Sequence, residues 1–267
     1  MRGRVLIVAG SDSGGGAGIQ ADIKAVTALG AYAATAITAL TAQNTLGVHG
    51  VFPVPVAFVR QQMRVVLDDL GADVVKTGML HDAAMIGAVV AELDATPSAP
   101  RLVVDPVMVA KGGARLLEPE AAEALLTQLV PRAALITPNA VEAEALTGIE
   151  VRDELGMQRA GARLLELGAA AVLVKGGHVE GSSVVDLLMD ASGTRLRLEA
   201  PRIESRSTHG TGCTLASAIA ASLAQGRSLS EAIERAHAYV RRAIETAPGY
   251  GAGHGPLNHA HPWAREA

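Results

Sequence analysis

The segment Thr208-His209-Gly210-Thr211-Gly212-Cys213 runs directly into an apolar stretch, 214–224. Glycines at a helix start let backbone N–H groups converge on an anion, and the helix dipole adds partial positive charge, so this reads as a phosphate cradle. Cys213 would stand in the first turn, where a thiol pKa is lowered and thiolate chemistry becomes possible. The competing reading is a small buried core residue. A second glycine turn, Gly14-Gly15-Gly16-Ala17-Gly18, opens Gly16-Ala17-Gly18-Ile19-Gln20-Ala21 in the G-x-G-x-x-A form of a dinucleotide fingerprint. That fingerprint also needs an acid about 20 residues later, and no Asp or Glu occurs between Asp22 and Asp68. A P-loop is excluded, because none of the lysines (Lys24, Lys76, Lys111, Lys175) follows a glycine in G-x-x-x-x-G-K-[ST]. Asn139 and Glu142 are three apart and share a helix face, where they could orient hydrated Mg²⁺ or a phosphate. An Asn cap with an acid in the first turn explains the pair equally well. Asp105 and Lys175 close apolar runs, and could add a metal-directed carboxylate and a phosphate-directed ammonium; solvated strand ends are the plainer reading.

These residues need a scaffold that brings strand ends together. Short apolar runs at 5–9, 73–76, 102–105, 135–137 and 171–175 predict strands buried on both faces. Helical segments at 55–70, 82–93, 119–129, 139–146 and 153–167 lie between or beside them. Alternation of this kind predicts βαβ units and a three-layer α/β/α fold around a central, mainly parallel sheet. Residues 31–42 are read as a strand leading into a loop at Gln43-Asn44-Thr45. Residues 184–189 and 194–198 predict a β-hairpin that adds a small antiparallel edge. Two long helices, 211–224 and 230–246, close the chain, with Ser228 and Ser230 as candidate caps. No linker or repeat divides the chain, so one domain, 1–267, is expected. Open parallel sheets bind ligands at the carboxyl ends of their strands, where the polar and glycine-rich segments fall.

Composition narrows the class. Of 267 residues, 49% are hydrophobic and 19% charged, enough for a large core and unlike a disordered chain. The net charge of -4 is spread along the sequence and aromatics are only 2%, which argues against nucleic-acid binding. One cysteine excludes an intrachain disulfide and points to a reducing compartment. The run after Arg2 and Arg4 ends at Gly10, too early for a signal peptide, and even 215–224 is interrupted by Ser217 and Ser222. A cytoplasmic protein without a membrane span is expected. His254, His259 and His261 could bind a metal, although a solvated tail accounts for them as well.

The chain resembles the hydroxymethylpyrimidine/phosphomethylpyrimidine kinases of thiamine biosynthesis, in the ribokinase-like superfamily. The carriers are Ala9-Gly10-Ser11-Asp12-Ser13 with 15–22, Thr38-Ala39-Leu40, Ala42-Gln43-Asn44-Thr45, Lys76-Thr77-Gly78-Met79-Leu80 and Asp105-Pro106-Val107-Met108. They continue in Thr137-Pro138-Asn139 with Glu142, Lys175-Gly176-Gly177-His178, His209-Gly210-Thr211-Gly212-Cys213-Thr214 and Gly253-His254-Gly255-Pro256. Gly14 departs from the serine of many members. The resemblance implies an ATP- and Mg²⁺-dependent kinase that phosphorylates 4-amino-5-hydroxymethyl-2-methylpyrimidine twice. It implies a pyrimidine site of Gln43, Gly10, Met79 and Val107, with Asp22 shared and either structural or site-orienting. Catalysis would use Cys213 in place of the superfamily's aspartate base, the cradle of Gly210, Thr211 and Gly212, and Lys175. Asn139, Glu142 and Thr208 would lie at the nucleotide, with Mg²⁺ near Asp105 and Glu142. A homodimer is implied too. Because the first nucleophile is a neutral alcohol and the second an ionised phosphate, Cys213 as a base would matter more to the first step. A pyridoxal kinase and a non-catalytic pyrimidine sensor are the alternatives.

Overall fold

Val5, Ile7 and Ala9 point to one side of a central strand and Leu6 and Val8 to the other, so this run must be covered on both faces. The strand is β1 (Arg4–Asp12) in a computed structural model that describes residues 1–109, 113 and 116–263; Lys111 lies outside them. The other elements follow as α1 (Gly18–Ala28), β2 (Tyr32–Asn44), β3 (Gly47–Pro53), α2 (Val56–Asp69), β4 (Val74–Thr77), α3 (Ala83–Asp94) and β5 (Arg101–Val104). Next come α4 (Pro119–Ala124), continued by a π turn at Leu125–Leu129, then β6 (Leu135–Ile136), α5 (Ala140–Thr147), α6 (Glu154–Glu166) and β7 (Ala171–Lys175). The hairpin β8 (Ser183–Asp190) and β9 (Gly193–Pro201) precedes α7 (Thr211–Ala224) and α8 (Leu229–Glu245).

All nine strands form one sheet in the order β3-β2-β1-β4-β5-β6-β7-β8-β9, parallel from β2 to β7. Val75, Val104, Ile136 and Val174 pack under α2 to α6, while Val74, Val103, Leu135 and Leu173 pack under α1, α7 and α8. The three-layer expectation therefore holds. Antiparallel pairing occurs at both edges, however, because β3 pairs with β2 as well as β8 with β7. The predicted loop at Gln43-Asn44 is strand, and β3 was missed because its residues are mostly exposed and carry no apolar alternation. Ser228 is the cap of α8, in a capping box with Glu231; Ser230 lies inside the helix.

β1 leads to β2 on one side, and the chain later returns to β4 on the other, so the order reverses between β1 and β4. Ligands bind at such a switch point. Beneath it Lys76 of β4 is wholly buried, with Nζ 3.0 Å from each oxygen of Asp22 on α1. Ser217 of α7 donates to the same carboxylate at 2.6 Å. Burial alone would lower the Lys76 pKa, but the Asp22 carboxylate reverses the shift and keeps the ammonium charged. Asp22 is therefore a structural partner that locks α1 and α7 to the sheet, its side chain wholly buried in that pair.

Breaking a buried pair by removing one partner costs about 3–5 kcal/mol. Asp22→Asn should lose about that much in urea unfolding, and Asp22→Leu with Lys76→Met should recover most of it; equal stability of wild type and Asp22→Asn would remove the pair from this role.

Candidate functional site

A cleft of about 900 Å³ opens along the carboxyl ends of the strands. It gathers Gly10 from β1, Gln43 from β2, Met79 after β4, Asp105 and Val107 after β5, Asn139 and Glu142 at α5, Lys175 from β7, and Thr208 to Cys213 before and at the start of α7. Every site residue expected from the sequence lines this one cleft except Asp22.

The cradle depends on two glycine turns meeting. Gly210 caps α7 with φ +80, and a Cβ there would overlap the Gly16 carbonyl oxygen. A Cβ on Gly16 would in turn overlap the His209 ring. Only glycine permits both the backbone conformation and the approach. Asp12 secures the contact: its carboxylate accepts from the N–H groups of Gly14, Gly16 and Ala17 at 2.8, 3.0 and 2.8 Å, and lies 2.9 Å from His209 Nε2. Burial would raise the Asp12 pKa, but the hydrogen bonds from His209, Ala17 and Gly14 hold it below the ordinary carboxylate range. The Gly16-Ala17-Gly18 turn thus serves Asp12 and His209. No side chain caps the first turn of α7, which leaves its N–H groups to an anion.

Cys213 departs from the expectation of an activated thiol. Its pKa is pushed up to about 12, chiefly by burial, which outweighs Lys76 and the hydrogen bond from the Gly18 N–H. The helix terminus does not compensate for lost hydration, and the thiol is protonated at neutral pH.

Across the cleft Lys175 Nζ lies 3.3 Å from Asp105 Oδ1 and 4.0 Å from Glu142 Oε2. Burial would lower the Lys175 pKa, and the two carboxylates raise it instead. Glu142 is pushed up to about 7 by burial, against the pull of Lys175. Asn139 and Glu142 form a reciprocal capping box, with Asn139 N–H donating to Glu142 Oε2 at 2.8 Å and Glu142 N–H to Asn139 Oδ1 at 2.9 Å. The capping reading of this pair is realised, and both residues also line the cleft. Asp105 and Lys175 are not solvated strand ends, with side chains only 2% and 12% exposed.

The other end is apolar. Met79 packs with Ala39, Leu116 and Val107, and Thr38 Oγ1 donates to the Met79 carbonyl at 2.6 Å. Gln43 stands at the rim of this slot beside His209 and Thr41. Sequence reasoning assigned no role to His209, Asp12 or Lys76, although each sits in a quoted motif; their buried partners lie 197 and 54 residues away. The tail histidines are no metal site: among the described residues no group of three ligands has that geometry. His259 is buried against Tyr239, and burial lowers its pKa to about 4. Among the described residues no helix is long and apolar enough to cross a membrane.

A phosphate cradle facing an apolar, amide-edged slot at the switch point of such a sheet defines a ribokinase-like small-molecule kinase. The family model for phosphomethylpyrimidine kinase matches residues 12–258. The hydroxymethylpyrimidine/phosphomethylpyrimidine kinase of Bacillus subtilis is 49% identical over 257 residues, covering 96% of this chain and 94% of the relative. The thiamine biosynthesis bifunctional protein ThiED of Geobacter sulfurreducens is 56% identical over 259 residues, covering 97% of this chain but only 52% of that protein. Among solved structures, an ADP complex of Bacillus subtilis pyridoxal kinase superposes with TM-score 0.90 at 37% identity, covering 97% of this chain and 98% of that one. The chain belongs to the hydroxymethylpyrimidine/phosphomethylpyrimidine kinase family. Identity falls from 49% to 37% between the pyrimidine kinase and the pyridoxal kinase of one organism, so the pyridoxal alternative is not the better supported. The kinase names of the relatives also leave the non-catalytic sensor without support.

A thiol at about 12 instead of 9.0 carries on the order of 1000-fold less thiolate at neutral pH. Ellman's reagent should therefore react with Cys213 far more slowly than with free cysteine, with a rate rising about tenfold per pH unit from 7 to 9. A plateau near pH 7 would mean an activated thiolate.

Proposed function

We infer that this chain is an ATP-dependent kinase that phosphorylates the hydroxymethyl group of 4-amino-5-hydroxymethyl-2-methylpyrimidine and then adds a second phosphate to the product, in thiamine biosynthesis. The observation that carries the reading is the single cleft in which the Gly210 to Cys213 cradle faces the slot of Gln43, Met79 and Val107. A glutamine amide complements the ring nitrogen and amino group of an aminopyrimidine, as it does those of adenine. Met79 and Val107 suit the flat ring and its methyl group, and Gly10 leaves room for them.

Phosphoryl transfer asks the protein mainly for position and charge. The N–H groups of Thr211, Gly212 and Cys213, left without a side-chain cap, would stabilise the charge that spreads over the moving phosphoryl group, with the Lys175 ammonium beside Gly212. Asn139 and Thr208 flank the nucleotide. Mg²⁺ fits this chain: Asp105 Oδ2 is buried without a hydrogen-bond partner, and Glu142 stands across Lys175 from it. Two carboxylates beside a phosphate site are what a largely hydrated Mg²⁺ takes, and the ion would neutralise ATP oxygens there. Cys213, protonated at rest, holds the substrate hydroxyl in line. A loose transition state needs that proton removed only late, when it can pass to an oxygen of the transferred phosphoryl group. We place the enzyme in the cytoplasm as a single-domain homodimer, on the family resemblance and the lone reduced cysteine.

Mass analysis of products from Mg-ATP with the pyrimidine, and in parallel with pyridoxal, should show pyrimidine monophosphate and then diphosphate with little pyridoxal turnover. Preference for pyridoxal would overturn the pyrimidine assignment. Cys213→Ala should slow both half-reactions by a similar factor, about 10- to 100-fold; a loss confined to the first step would make Cys213 the base.

A further inference from the structure

We propose that Thr41 and His209 are specificity-positioning residues that hold the Gln43 carboxamide in one of its two orientations, oxygen toward His209 and nitrogen toward Thr41. The inference rests on the pyrimidine-kinase reading and deepens it, because it decides which sense of donor and acceptor the slot accepts.

Hydrogen counting carries the argument. His209 Nε2 lies 2.9 Å from the Asp12 carboxylate, which can only accept, so Nε2 bears the proton. Gln43 Nε2 lies 3.2 Å from the same nitrogen, and a half-turn of the carboxamide, which exchanges its N and O in place, puts the oxygen there instead. An NH₂ group there would set donor against donor, whereas the amide oxygen can share the Nε2 proton with Asp12. At the other end the Thr41 hydroxyl stands 2.9 Å from the Ser11 carbonyl and 3.1 Å from Gln43 Oε1, a position that the same half-turn gives to the NH₂ group. Its one proton goes to the carbonyl, which has none to give. What Thr41 offers Gln43 is a lone pair, and the group that can use it is NH₂. The two ends select the same half-turn independently. Ser13 holds the Gln43 backbone at both N–H and C=O, at 2.8 and 2.9 Å, so the residue cannot escape by shifting along β2.

Thus held, Gln43 keeps one N–H and one oxygen lone pair for the cleft, in fixed order. A ring with an acceptor nitrogen beside an amino group is matched when it enters in one pose. A ring carrying N–H beside a carbonyl needs the amide reversed, at the cost of both flanking hydrogen bonds. Asp12, through His209, therefore ties the phosphate cradle to the recognition of the ring.

The test compares kcat/KM of the full chain for 4-amino-5-hydroxymethyl-2-methylpyrimidine and its 4-oxo analogue. Wild type should prefer the amino compound. Thr41→Val, which keeps shape but removes the lone pair, should lower that preference about 5- to 10-fold, mainly through KM, as expected for one orienting hydrogen bond. Thr41→Ser should restore it. An unchanged preference in Thr41→Val, or a Thr41→Ser that behaves like it, would overturn the inference and leave the kinase reading standing. Failure of wild type to phosphorylate either pyrimidine would overturn both.

Discussion

The buried ammonium of Lys76 is the constraint around which the molecule is arranged. A charge at the centre of a parallel sheet is tolerated only when paired and hydrogen-bonded, and the carboxylate that satisfies it comes from α1 and is itself held by Ser217 of α7. Both helices are thereby pinned to the sheet with their first turns beside the switch point between β1 and β4. The position of the phosphate cradle follows from that pinning. Cys213 lies one turn before Ser217 on α7, so the residue at the chemistry and the residue in the buried pair share one rigid element.

Above this layer a second carboxylate, Asp12, organises the surface of the site. It takes three backbone N–H groups of one glycine turn and the imidazole of the other. Two turns that would be mobile alone become one platform. Its rigidity matters because the gain from phosphoryl transfer in a fixed environment is largely positional. The division of the cleft follows the same logic, with charged groups after β5 and on β7 and α5 at one end and Met79, Val107 and Leu116 at the other.

Lone polar groups in this site have opposite consequences. Asp105 Oδ2 lacks a hydrogen-bond partner beside Lys175, which suits it to a hydrated cation. The Cys213 thiol is half-buried in the wall of the cleft, and its partial desolvation keeps it neutral. The helix terminus that favours an anion in the cradle does not activate the thiol beside it, because the field is strongest along the axis while desolvation acts on any group partly withdrawn from water.

The alternation of apolar runs with helical segments, the glycine turns and the polar strand ends were legible in the sequence, because period and turn chemistry are local properties. So were the motifs that place the chain in its family, and with them Gln43, Lys175, Asn139, Glu142 and Cys213. The exposed edge strand β3 was not legible, since its pairing with β2 leaves no apolar pattern. For Asp22 the sequence left a structural and a site-orienting role open, and only the packing of α1 against Lys76 revealed the buried pair. The protonation of Cys213, the joining of Asp12 to His209 and the contacts of Gln43 with Thr41 and His209 likewise depend on distant segments. Burial and hydrogen-bond partnership are properties of the assembled fold, so tertiary structure alone decided them.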